Sequence, residues 1–384
     1  MKYNIHYRKT FLPLLSAVAI IFSCAKPLPA EDPEAPFGTS GLVNVVFSLS
    51  GDAGTKMVDV EPSDETRVSR YVVFVFDTES NWFSYKVSSS GKPVTVQLRG
   101  GRDYHCYALV NYPSSGVSAI NPAGVTGEAD VPGKVAYLSD NRVSSLLMFG
   151  KATVTVSLPD EEEQVVGQKD EQEGEPVLPT ESRTISVHRL VSRIDVPEIA
   201  VDFAGKEDLE GKEFILKGIY MTNVYRTARY GSDYTYNELS SSRSAWYNGG
   251  GWHLGDVPDD SMDELVGDRD INCVLKDEMP YDVGHSFYVF PNVTTSDNDE
   301  HQMGVWSKRC TRLVIEASLD GKPMYYQISI PSMIRNRVYS IDGITITGPG
   351  SDVPEDVSVE DMKNAISYKI QRRDNWEKNE DNLD

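Results

Sequence analysis

Alternation is the feature that most restricts what this chain can fold into. In GLVNVVFSLSG, residues 41–51, Val43, Val45, Phe47 and Leu49 fall on one face of an extended chain, because successive side chains of a strand point to opposite sides. The pattern recurs in VTVQL, YHCYALVN, KATVTVSL and HRLVSRIDV, and then in a second set: EFILKGIYMTNV (213–224), SFYVFPN, TRLVIEASLD, YYQISIP and RVYSIDGITITG. YVVFVFD, residues 71–77, is apolar on both faces, the mark of a strand in the middle of a sheet. No apolar stripe of helical period interrupts these runs, apart from a short turn expected near SSLLMFG. Many short strands in two successive sets specify an all-β chain of two β-sandwich domains in tandem, 41–200 and 201–350.

Three stretches break the pattern. Residues 159–183 are acidic and contain proline, and are expected to form a solvated loop. TVTVSL before that loop and RTISVHRLVSRIDV after it read as one interrupted hairpin. Residues 228–285, rich in Gly, Ser, Asp, Tyr and Trp, read as long surface loops. Finally, a tail at 351–384 follows the Gly348-Pro349-Gly350 corner and an acidic spacer. Within it AISYKIQRRDNW (365–376) puts Ile366, Tyr368, Ile370 and Trp376 on even positions, one face of a strand. An extended tail with an apolar face is a liability unless something covers it.

The front of the chain carries Lys2, Arg8 and Lys9, then an apolar run from Phe11 to Phe22 that is short for a spanning helix, the pattern of a secretory signal over 1–23. It ends in Ile21-Phe22-Ser23-Cys24, which resembles a bacterial lipobox. Cys24 is therefore expected to be the lipidated N-terminus of the mature chain, with 24–40 a flexible lipidated linker; more than one acyl chain suffices for stable anchoring. Loss of the leader takes the formal charge from −21 to −24. So acidic a chain is not built to bind nucleic acid, whose phosphates need a basic surface. Hydrophobic residues at 40% and charged residues at 25% exclude disorder throughout. Cys106, Cys273 and Cys310 are widely spaced and odd in number, neither a disulfide framework nor a zinc pattern. A 273–310 bridge is one option; buried thiols, each among apolar neighbours, are the other.

No catalytic constellation stands out, so the chain is expected not to be an enzyme and to use no cofactor or metal. The six histidines never form a close metal pair, and the nucleophile-elbow and phosphate-loop motifs are missing. His105 and Cys106 are adjacent and on a strand point to opposite faces, which argues against a dyad. SAWYNGGGWHLGD (244–256) gathers Trp246, Tyr247, Trp252 and His253 around a glycine turn, either a sugar-stacking loop or aromatics that pin the loop to its own domain. SDNDEH (296–301) lacks the ligand spacing of a calcium loop.

Taken in order, the lipobox, NVVFSLSGDAGTK, SRYVVFVFDTES, YHCYALVN, MFGKATVTVSL, ISVHRLVSRIDV, FILKGIYMTNV, FYVFPN, IRNRVYSIDGITITGPGSDVPED and the tail resemble the fimbrillin superfamily, the subunits of type V pili of Bacteroidales. The resemblance covers nearly the whole chain, and RLVSRIDV with RNRVYSIDGITITGPGSDVPE is its most specific part. It implies transthyretin-like sandwiches, export as a surface lipoprotein of the outer membrane, and a role in adhesion as part of a fimbrium. It also implies maturation by an arginine-specific protease that cuts after the first strand. The neighbouring subunit's tail then fills the vacated groove by β-strand addition. On this sequence the departing strand supplies Val43, Val45, Phe47 and Leu49, and the incoming one Ile366, Tyr368, Ile370 and Trp376. Head-to-tail insertion does not close on itself and builds a filament.

Two departures from the family pattern keep alternatives open. The loop after the first strand has Lys56 in GDAGTK where stalk subunits carry the cleavage arginine, and the nearest arginines are Arg67 and Arg70. Cutting at Lys56, at Arg67 or Arg70, or not at all are all compatible with the sequence. The tail ends in the polar WEKNEDNLD, which suits a short donor or an accessory subunit. An anchor subunit would keep its first strand and its lipid. A surface lipoprotein that binds glycans through the 244–256 loop is the alternative of a different class.

Overall fold

A computed structural model describes residues 41–51, 64–116, 118–158, 178–231, 246–247, 263–277, 279–295, 310–353, 362, 364–373 and 376. The strands, in chain order, are β1 (Leu42–Ser50), β2 (Tyr71–Asp77), β3 (Phe83–Ser88), β4 (Val94–Arg99), β5 (Arg102–Val110), β6 (Val135–Tyr137), β7 (Met148–Val156), β8 (Thr180–Arg189), β9 (Ser192–Val201) and β10 (Phe214–Thr222). They continue with β11 (Val224–Tyr225), β12 (Thr227–Arg229), β13 (Trp246–Tyr247), β14 (Gly267–Asp268), β15 (Cys273–Leu275), β16 (Tyr281–Val289), β17 (Thr311–Leu319), β18 (Lys322–Ile330), β19 (Val338–Ile346) and β20 (Ile366–Arg373). Among the described residues helix is confined to single turns, one of them Val143–Ser145 in the SSLLMFG stretch. The chain is all-β, as the alternation requires.

The first half is a sheet in the order β3-β2-β5-β7-β8-β1-β4 whose two end strands approach one another. Strand β8 is its pivot. Residues 180–186 pair in parallel with β1, while only Val187, His188 and Arg189 pair with β7. The interrupted hairpin expected of β7 and β8 is thus formed at the far end from the acidic loop alone. Nearer the loop, side chains bridge the two strands: Arg183 Nη2 donates to Thr155 O at 2.9 Å, and the Ser157 amide to Glu181 Oε1 at 3.1 Å. Gly150, where β7 meets β8, has no room for a side chain, since a Cβ there would lie 2.4 Å from Ser186 O.

YVVFVFD is buried on both faces, as read. Tyr71, Val73 and Val75 face a core shared with β1, β4 and β8. Val72, Phe74 and Phe76 face a larger core capped by Tyr112, Ile120, Leu138 and Leu147 from the 112–147 crossing. That second core continues into the later strands. There, β14 and β15 flank β10, followed by β17 and β18, in one sheet, and β16-β9-β19-β20 form another. Between β8 and β9 the chain passes from one sheet set to the other at the buried pair Leu190 and Val191. Strand β9, which begins inside 41–200 and ends at Val201, pairs with β16 and β19.

Within 228–285 the described residues contain regular elements that the composition does not announce. They include a helical turn, Asp263–Val266, with Leu265 and Val266 buried, and the strands β14 and β15, which pair with β10. Short apolar segments between polar residues carry too little period to reveal this. Residues 296–301 lie outside the described residues.

Candidate functional site

Strand β1 is held from both sides. Its register with β4 is antiparallel from Leu42 opposite Arg99 to Phe47 opposite Val94, and with β8 parallel from Asn44 opposite Thr180 to Ser50 opposite Ser186. Val43, Val45, Phe47 and Leu49 are each at most 2% exposed. Burying side chains of this size stabilises by roughly 1.5–3 kcal/mol apiece. The Tyr71 hydroxyl, whose pKa burial pushes up to about 12, donates to Lys92 O at 2.7 Å and lies 3.4 Å from Phe47 O. Taking β1 away would open an apolar trough and leave β4 without its strand partner, since β4 ends the sheet.

Of the candidate cutting positions, Lys56 lies outside the described residues, as does Cys24. Arg67 is exposed, and its carbonyl accepts from Asn111 Nδ2 at 2.8 Å. The same Asn111, in the left-handed conformation at φ 56°, donates to Leu146 O at 2.9 Å and accepts from the Ser69 amide and hydroxyl. Its own amide donates to Arg70 O at 2.8 Å. Asn111 therefore holds Arg67, Ser69 and Arg70, the residues just ahead of β2. Arg70 is half-buried with its guanidinium 5.6 Å from the Tyr112 ring centre, and the next residue, Tyr71, is sealed in the core. Cutting there would require β2 to unpair.

The tail docks on its own subunit. Strand β20 pairs antiparallel with β19, Ile370 opposite Ile341 and Ile366 opposite Ile346, and no second strand pairs with it among the described residues. Ile366 is buried, while Tyr368 and Ile370 are half-buried, so the expected face is present but only partly covered. Trp376 lies beyond the end of the strand. The Gly348-Pro349-Gly350 corner before the tail is fastened. Gly348 O accepts from the Tyr326 hydroxyl, the Gly348 amide donates to Ala365 O, and Ser351 exchanges two backbone bonds with Tyr325.

Sequence reasoning missed a cluster around Glu65, which sits in the single turn Asp64–Thr66 just before β2. Its carboxylate accepts from Trp376 Nε1 at 2.7 Å, from Arg193 Nη1 at 2.7 Å and from the Tyr288 hydroxyl, and its carbonyl accepts from Arg189 Nε at 3.2 Å. Arg193 also bonds Asp195, and both arginines lie over the Trp376 ring, at 4.6 Å for Arg189 and 5.3 Å for Arg193. Burial, then the bond to Glu65, raises the Tyr288 pKa. The available signal was the pair of arginines inside the apolar run RLVSRIDV: buried cations demand partners.

Elsewhere the chemistry is sparse. Cys106 is buried, and burial alone pushes its thiol up to about 12; His105 points the other way, its Nδ1 3.0 Å from Glu128 Oε1. Cys273 and Cys310 are unbridged, and Cys273, expected to be buried, is half exposed because β15 sits at the side of its sheet. Trp246 and Tyr247 form β13, which pairs with Tyr225 and Val224; Trp252 lies outside the described residues. No group of His, Cys, Asp and Glu able to hold a metal occurs among the described residues.

The sequence matches no protein-family model and no curated protein. Solved structures do resemble this fold. A fimbrilin from Porphyromonas gingivalis W83 superimposes with a TM-score of 0.52 at 14% identity, covering 86% of this chain and 96% of its own. A "putative cell adhesion protein" from Parabacteroides distasonis gives 0.52 at 15% identity, covering 88% and 99%. One of the same description from Bacteroides eggerthii gives 0.52 at 14%, covering 87% and 96%. The chain has the fold of these fimbrilin and cell-adhesion structures.

Proposed function

We propose that the chain is a structural subunit of a cell-surface pilus, with no enzymatic activity, that polymerises by exchanging β1 for the tail strand of a neighbouring copy or related subunit. The observation that carries this reading is the placement of β1. It is the first strand described, it fills a groove between β4 and β8 with four sealed side chains, and the segment that follows it leads to an exposed arginine. At eight residues β20 nearly equals the nine of β1. Ile366, Tyr368 and Ile370 would occupy three of the four positions at the same period of two, and Arg372 would stand at the fourth. Backbone pairing supplies affinity and the pockets supply register. Export through the 1–23 leader, lipid on Cys24, residence at the outer membrane and trimming by a protease complete the reading.

One observation favours a variant of it. Asn111 and the Glu65 cluster bind the segment after β1 to the body of the protein, which suits an anchor or accessory subunit that keeps its first strand and its lipid. Mass measurement of the mature N-terminus from native cells separates the two. A start at Val68 or Met57 marks an exchanged subunit, and a lipid-bearing Cys24 marks an anchor. Deleting residues 361–384 should abolish polymerisation while the monomer stays folded, and unchanged fibres would rule out the tail as donor.

A further inference from the structure

The contact between Trp376 and Glu65 joins residues 311 positions apart, one just beyond β20 in the tail and the other in the segment between β1 and β2. Its chemistry is specific. An indole N–H is a donor only, and a carboxylate is an acceptor only. The ring face attracts cations, and Arg189 and Arg193 both lie over it. Trp376 is 5% exposed although the strand before it is half open, so β20 is held more firmly at its flanking residues than along its length. At the near end, Ala365 O accepts from the amides of Thr347 and Gly348. At the far end, the described fastening is the indole.

We propose that Glu65, with Arg189, Arg193 and Tyr288, forms a keeper site for the Trp376 indole, and that this site holds β20 on its own subunit until the segment carrying Glu65 departs. The inference rests on the strand-exchange reading for its purpose, but the keeper itself rests on geometry. Glu65 lies two residues before Arg67. A cut after Arg67 would carry Glu65 away with β1, leaving the indole N–H and the buried Arg193 without their carboxylate. A cut after Lys56 would leave the keeper intact. A single event at Arg67 therefore opens the groove and loosens the strand that can fill a neighbour's groove, whereas an earlier cut opens the groove alone. In the uncut chain one contact ties β20 to the segment that carries Glu65, which keeps newly made subunits from exchanging strands prematurely.

Hydrogen exchange of the full chain, followed by mass spectrometry of peptides covering 366–376, tests this. Trp376→Ala, which truncates a ring buried at the edge of the larger core but leaves every paired strand residue in place, should speed exchange of the β20 amides about tenfold or more and leave β17 amides unchanged. Glu65→Gln, which keeps the shape but not the charge, should act in the same direction. Unchanged β20 exchange in Trp376→Ala would overturn the keeper. In chains carrying an engineered protease site at one position or the other, cutting at 67 should accelerate β20 exchange and cutting at 56 should not; equal effects would also overturn it. If Trp376→Ala loosens β20 yet no form of the chain ever polymerises, the keeper stands and strand exchange falls. If fibres form while β20 exchange ignores Trp376→Ala, strand exchange stands and the keeper falls.

Discussion

Val45 lies directly opposite Val96 in the antiparallel pairing of β1 with β4, and both side chains are closed off in the same core. The strand most exposed to loss in sequence terms, the first of those described, is thus among the best buried in space. Its partner on the other side, β8, runs parallel to it, so no hairpin ties β1 to either neighbour. A strand with deep burial and no local connection is one whose place another segment can take, provided the replacement brings the same period of side chains.

That placement sets the outcome of cutting into the strand. Phe47→Ala should destabilise the intact chain by about 3–5 kcal/mol, the usual cost of an aromatic-sized hole in a core. The urea midpoint should fall with little change in slope. In fibres whose subunits have exchanged β1, the same substitution should have no effect on resistance to denaturant, because the altered strand is gone. A fibre as weakened as the monomer would mean that β1 stays.

Asn111 makes a second, local test. It satisfies the carbonyls of Arg67 and Leu146 and accepts from both donors of Ser69, in a backbone conformation that asparagine tolerates better than most residues. Asn111→Ala should cost about 2–3 kcal/mol, the range for leaving buried polar groups unpaired. More tellingly, it should let trypsin cut the folded chain after Arg67 several times faster. Mapping the first fragments of a brief digestion checks this, and an unchanged rate would show that the segment is accessible without Asn111 yielding.

Much of this arrangement could be read in the residues beforehand, and the parts that could not share a physical cause. Alternation at Val43 to Leu49 and double burial of Tyr71 to Phe76 are local signals, since period and burial are properties of the strand itself. The partner of a strand is not. Nothing near residue 44 states that it will lie beside Thr180, and nothing in RTISVHRLVSRIDV marks Leu190 and Val191 as the passage from one sheet set to another. The Glu65 cluster was hidden for the same reason: its members are drawn from positions 65, 189, 193, 288 and 376, and only the arginines, charged residues in an apolar run, hinted at it. The tail face of Ile366, Tyr368 and Ile370 was visible, whereas the separate task of Trp376 depended on where the strand stops.

The cysteines differ enough to be told apart chemically. Thiolates are the reactive form, and burial holds the Cys106 thiol protonated at any ordinary pH. Cys310 is 1% exposed. Cys273, half exposed at the side of its sheet, should be alkylated by iodoacetamide in the folded chain at pH 8, with Cys106 and Cys310 labelled only in denaturant. Peptide mapping after native labelling reads the result directly. Labelling of Cys106 at the rate of Cys273 would indicate that β5 opens readily.

Acid should weaken the fold in two separate steps. His285 on β16 packs at a tilt against Phe287, 4.4 Å between ring centres, and burial lowers its pKa below 6.5 despite the opposing pull of Asp268, 3.7 Å away. Its pKa is therefore higher in the unfolded chain, which takes up a proton that the folded chain refuses. Stability is fully present above about 6.5, falls as pH drops through the folded value, and levels off below it. Asp77 and Glu128 act lower down. Burial opposes their ionisation, but hydrogen bonds overrule it: from the Glu79 amide and Arg102 for Asp77, and from Tyr107 and His105 for Glu128. Their folded values lie below the ordinary carboxylate range, so their contribution is present above about 4.5 and is lost as pH falls through those values. Urea unfolding at half-unit steps from pH 7.5 to 3.5 should show a decline in each window. His285→Phe, which keeps an aromatic ring beside Phe287 without the titrating group, should flatten the upper decline and leave the lower one; a persistent upper decline would assign it to another group.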